Sequence, residues 1–224
     1  MNYLFALAIT IIAYYLSLKL KNQIKHPIVN VVVISAVLIF VTLQLVGVEI
    51  DSYKESATII TRFLNPLIVL LAVPLYKKRK MLVENLVPIL SGIIVSIIIA
   101  FASVYVLSLV LGLNQVLIVT LLPKSITTPL AIEASTALEG IPSITVLAVI
   151  VTGITGTLIF EVVVKLFGLK TDLAKGIALG AASHAIGTSK ALETSKECGA
   201  SSSLALGLSG IFTVLIVVIL TTIF

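Results

Sequence analysis

The chain has 224 residues, of which 59% are hydrophobic and only 11% charged, with no tryptophan and a formal net charge of +5. Soluble domains carry about a quarter charged residues, so a water-soluble globule is excluded. Nor does the positive balance point to nucleic acid, because the basic residues sit in short loops beside apolar runs, the distribution that orients membrane helices.

In chain order, the apolar runs are Tyr3 to Leu20, Ile28 to Val46, Ile59 to Tyr76, Leu86 to Leu111, Ile144 to Phe167 and Leu204 to Phe224. A helix needs about 20 mostly apolar residues to cross a bilayer, and these runs are continuous, whereas barrel strands alternate. The expected fold class is therefore an all-α polytopic membrane protein with about six spanning helices. No basic residue precedes the first run and no A-x-A cleavage site follows it, so it is expected to stay attached rather than leave as a signal peptide. Lys19, Lys21 and Lys25 follow the first run, and Lys77, Lys78, Arg79 and Lys80 the third. The positive-inside rule puts both loops in the cytoplasm and the N-terminus outside. Within the third run, Asn65-Pro66 makes Asn65 a candidate ligand, although proline kinks are also ordinary features of membrane helices.

After the fourth run comes "LLPKSITTPLAIEAS" (121–135), rich in hydroxyls and prolines. A full crossing by residues 115–138 would put the loop bearing Lys165, Lys170 and Lys175 outside, against the rule, whereas a re-entrant hairpin keeps it cytoplasmic. The charge pattern favours the hairpin over a broken full crossing. An offset of 60 then aligns "SITTPLAIEASTALEGIPS" with "AIGTSKALETSKECGASSS", with identities at Ile126/Ile186, Thr128/Thr188, Ala131/Ala191, Glu133/Glu193, Ser135/Ser195 and Ser143/Ser203. A slightly shorter offset pairs Thr152-Gly153-Ile154 with Ser209-Gly210-Ile211. Each unit, one broken hairpin plus one span, crosses an odd number of times, so consecutive copies point in opposite directions, the layout of inverted-repeat secondary transporters. The expected organisation is a scaffold over 1–112 and a transport region over 113–224, with repeat units of about 113–170 and 171–224.

The chemistry concentrates in those hairpins. Pro123 and Pro129 interrupt a helix, and Lys124, Ser125, Thr127, Thr128 and Pro129 between and beside them offer an ammonium, hydroxyls and freed amides to a small anion. In the second copy Ser183, His184, Gly187, Thr188, Ser189 and Lys190 stand in the corresponding place, with Gly187 as the expected helix breaker. Glu133 and Glu193 are candidate proton or cation ligands; headgroup exposure or pairing with Lys124 or Lys190 is the alternative. The lysines either attract a substrate carboxylate or snorkel. His184 is open to titration or to a plain hydrogen-bonding role, and Glu161 to pairing with a basic group or a place at a helix end. Gly153, Gly156, Gly207 and Gly210 read as close-packing positions. The lone Cys198 forms no internal disulfide, no residues have metal-ligand spacing, and no cofactor or soluble-enzyme motif is present.

The stretches "LAVPLYKK", "PKSITTPLAIEAS", "GIPSITVLAVIVTGITG", "GIALGAASHAIGTSKALE" and "GASSSLALGLSGIFT" together resemble the LrgB/CidB family. That resemblance implies a bacterial cytoplasmic-membrane protein beside a small LrgA/CidA-type partner, described as a holin-like or antiholin regulator of murein hydrolase activity and lysis. Plastid relatives exchange glycolate and glycerate, and bacterial members are linked to pyruvate, so small monocarboxylates are the implied substrates. The chain departs from the family at Leu64-Asn65-Pro66 and at Lys190, where arginine is common. Homodimerisation is a reasonable expectation for a transporter with a moving domain.

Overall fold

The computed structural model describes residues 3–24, 31–63, 66, 69–70 and 72–223, and all regular secondary structure among them is helical. Two units divide the chain, Met1–Leu67 and Ile68–Phe224.

In the first unit, α1 (Tyr3–Gln23) and α2 (Val31–Val46) pack together. Ala6, Ile9, Ala13 and Ser17 form the buried stripe of α1 at helical spacing, mostly small residues that let the partner backbone come close. Ser35 Oγ of α2 donates to Ser17 Oγ at 3.0 Å, which satisfies a buried hydroxyl at the contact. At Gly47, whose φ of +71° suits glycine, the chain leaves α2 and bends by 117° into α3 (Ile50–Ser56), followed by α4 (Thr58–Thr61).

The second unit holds α5 (Ala72–Lys77), α6 (Arg79–Glu84), α7 (Leu86–Val110), α8 (Gln115–Leu121), a 3-10 turn (Leu122–Ser125), α9 (Thr128–Ala137), α10 (Pro142–Phe167), α11 (Asp172–Thr194) and α12 (Lys196–Ile223). Its core joins Ile89, Ile93 and Ile97, one face of α7, to Ile177 and Ala181 of α11 and Leu204 and Ala205 of α12. α11 approaches α12 through Gly176 and Gly180, where an added Cβ would strike the Cys198 and Ser202 carbonyl oxygens. This is the small-xxx-small spacing of close membrane-helix contacts.

α1, α7, α10 and α12 are long and apolar enough to span a bilayer, and the bent pair α2 and α3 would make a fifth span. Of the expected third span, Ile59 to Tyr76, residues 64, 65, 67, 68 and 71 lie outside the described residues; α4, Pro66, Val69, Leu70 and α5 are helical, and Arg62 and Phe63 form a turn. Pro74 lies inside α5, where its carbonyl accepts from the Lys78 N–H at 3.0 Å.

Both expected hairpins are present. In the first, Ile126 and Thr127 are extended, at φ −105°, ψ 179° and φ −63°, ψ 145°, and separate the 3-10 turn from α9. Thr145 Oγ1 lies 2.7 Å from Ser135 Oγ and 2.9 Å from the Thr120 carbonyl oxygen. Residues 120–135 would extend about 22 Å as one straight helix, so a single hydroxyl touching both ends requires the chain to reverse. In the second, His184 breaks α11 at φ 42°, ψ −132°. Ser195 Oγ donates to Asp172 Oδ2 at 2.5 Å, although residues 172–195 would stretch about 34 Å if straight. Here too the helix doubles back, and the repeat-related Ser135 and Ser195 sit at the two hairpin mouths. The break falls at His184 rather than at the expected Gly187, which lies in the returning arm with its α-carbon against the Leu179 carbonyl.

Gly180→Val should lower the midpoint of thermal unfolding in detergent by the equivalent of about 1–3 kcal/mol or prevent folding, because the Ser202 backbone cannot move aside. Gly112→Ala meets no atom within 4 Å but sits at φ +65°, and should cost only about 1–2 kcal/mol.

Candidate functional site

A cavity of about 610 Å³ opens among α7, the 3-10 turn, α10 and the first arm of α11. Val95 and Ile99 of α7, Val151 and Ile159 of α10, and Ile177, Ala178, Ala181 and Ala182 of α11 give it apolar walls. Into these walls are set Ser96, Lys124, Ser125, Thr152 and Thr155. The scale and the few convergent polar groups are those of a small-molecule pocket.

Lys124 is its cation. Pro123 opens the 3-10 turn, and the turn carries Lys124 and Ser125 to the cavity just before the chain breaks at Ile126. Lys124 is half-buried, and among the described residues no carboxylate lies within 4 Å of its Nζ. A partly buried ammonium without a counter-ion is costly, and an anionic ligand relieves that cost. Thr127 is buried at the start of α9, and its Oγ1 has no hydrogen-bond partner among the described residues. Thr128 and Pro129 form the first turn of α9.

Residues of the second motif do different work. Ser183 is buried against Gly156 of α10, where any Cβ would collide with its hydroxyl. The His184 ring lies beside Gly153, where a Cβ would stand 2.7 Å from His184 Cε1, and its Nε2 is 2.8 Å from the Val149 carbonyl oxygen. Thr188 Oγ1 donates to the His184 carbonyl at 3.0 Å and lies 2.9 Å from Ser202 Oγ. Ser189 is exposed and donates to Ala185 O, while Lys190 lies 3.9 Å from both Glu161 and Glu193. These contacts secure a backbone conformation that an L-residue adopts only when its surroundings compel it. Of the expected substrate ligands, Lys124 and Ser125 line the cavity; Ser183 to Lys190 do not. Glu133 and Glu193 are exposed on the returning arms, away from the cavity lining. Asn65 lies outside the described residues.

Sequence reading overlooked Ser96, Thr152 and Thr155 as cavity residues. Their signal is available in hindsight: Thr152 and Thr155 stand three apart on one face of an otherwise apolar helix, next to Gly153 and Gly156.

A family model described as the LrgB-like family matches residues 10–223. The chain is 35% identical over 216 residues to a protein of Staphylococcus epidermidis named holin-like protein CidB, covering 96% of this chain and 94% of that protein. It is 32% identical to the Staphylococcus aureus protein of the same name, covering 99% and 96%. An uncharacterized Bacillus subtilis protein, YxaC, is 36% identical over 91% of this chain and 88% of its own length. No solved structure matches the chain.

Gly153→Val should displace the His184 ring and lower thermal stability by about 1–3 kcal/mol, read as a fall in the detergent unfolding midpoint.

Proposed function

The chain belongs to the LrgB-like family of membrane proteins, and on that premise we propose that it is a secondary transporter of small monocarboxylates of the pyruvate, glycolate and glycerate class. The observation that carries this reading is Lys124, without a carboxylate partner among the described residues, at the wall of a largely apolar cavity of about 610 Å³. The ammonium holds the carboxylate, the hydroxyls of Ser96, Ser125, Thr152 and Thr155 orient its oxo or hydroxy group, and the apolar walls set its size. Transport alternates access by moving the hairpin-bearing region, 113–224, against the scaffold of the first spans, under a proton or sodium gradient. Glu133 and Glu193 are the carboxylates of that region available for proton handling, at the chain surface where a second copy or the headgroups meet them. The membrane is the bacterial inner membrane and the N-terminus faces outward.

A second reading has its own support in the name of the staphylococcal relatives, holin-like protein CidB. In it the chain is a regulatory or pore-forming component that works with a small LrgA/CidA-type partner and controls murein hydrolase activity and lysis.

Uptake of labelled pyruvate, glycolate and glycerate into proteoliposomes holding the purified chain separates the two. The transporter reading expects saturable uptake that Lys124→Ala lowers at least tenfold and Lys124→Arg partly restores. Uptake that appears only when the small partner is co-reconstituted supports the second reading.

A further inference from the structure

Beside the large cavity lies a second void of about 10 Å³. Ser96, Ala100, Ser125 and Ala181 line both, so the two spaces share a wall. The small void adds Ser209 and Thr213, one turn apart on α12. Ser209 is only 2% exposed, and its Oγ has no hydrogen-bond partner among the described residues. A buried hydroxyl in such a position calls for a bound water or ion, and the void is about the size of one water-sized sphere.

We propose that this void binds one sodium ion between α7, the 3-10 turn and α12, with Ser96, Ser125, Ser209 and Thr213 supplying hydroxyl oxygens. The donors are hard oxygens, as a hard cation requires. None is a carboxylate, so the set offers no charge to offset a divalent ion. None titrates, so the void cannot serve as a proton site. The repeat adds an independent mark: Ser209 is the counterpart of Thr152, so the related hydroxyls occupy the two adjoining spaces.

The assignment of this ion as the driving ion rests on the carboxylate-transport reading. Lys124 lines the neighbouring cavity without a carboxylate partner among the described residues and opposes a nearby cation; a bound carboxylate cancels that opposition. Sodium and carboxylate should therefore each tighten the other's binding, by on the order of tenfold.

The test uses thermal unfolding of the full chain in detergent, in sodium, potassium or choline chloride at equal ionic strength. Sodium should raise the midpoint saturably with half-effect at a lower concentration when pyruvate is present, and choline should not raise it. Ser209→Ala and Thr213→Val should each lose the sodium shift while unfolding cooperatively in choline. Equal midpoints in all three salts, or a full sodium shift in both variants, would overturn the proposal and leave the void to water. The wild type alone decides the first point, so a misfolded variant does not protect the idea. Pyruvate uptake without sodium dependence and without a sodium shift removes the ion site but keeps the transporter; a sodium shift without uptake keeps the site and removes its driving role.

Discussion

Lipid cannot hydrogen-bond a peptide group, so a chain may leave the helical path at membrane depth only where protein or a wet cavity encloses the break. The second unit has to meet that condition twice, at Ile126 to Thr127 and at His184. Each hairpin is closed at its mouth by a serine, Ser135 or Ser195. At the tips, the solutions differ. The second is filled by the His184 ring, Ser183 and their glycine seats at Gly153 and Gly156. The first opens on the cavity through Lys124 and Ser125.

The two copies also brace one another. Gly153 of α10, the span of the first copy, receives the bend of the second copy's hairpin; Gly210 of α12, its repeat counterpart, faces Leu130 of the first hairpin. Each span thus supports the other copy's reversal. Charge breaks the equivalence: Lys190 has Glu161 and Glu193 nearby, whereas among the described residues no carboxylate lies within 4 Å of the Lys124 Nζ. One architecture thereby yields one tip packed against its neighbours and one tip at the cavity wall.

Much of this was legible in the sequence, for reasons that differ by feature. Apolar runs report helices because lipid demands them, and α1, α7, α10 and α12 follow those runs closely. The two reversals fall where the repeat sets its hydroxyl-rich segments, at Ile126 to Thr127 and at His184. Within the third run, composition does not register the turn at Arg62 and Phe63. The break near Gly187 was misplaced by a few residues because local propensity assigns positive φ to glycine, whereas here space at Gly153 of another helix places it on a histidine. Cavity hydroxyls such as Thr152 and Thr155 were missed because which face of an apolar helix meets a cavity is a tertiary fact.

Both interrupted segments reverse within the unit and do not cross it. Pulsed electron-spin distance measurement reads that reversal, with label pairs at 115/139 and 171/196 in a Cys198→Ser background. Reversal predicts a short separation for both pairs, below roughly 20 Å, against the length of about 36 Å that straight helices of this span would have. Separations near the straight-helix length for either pair would contradict it.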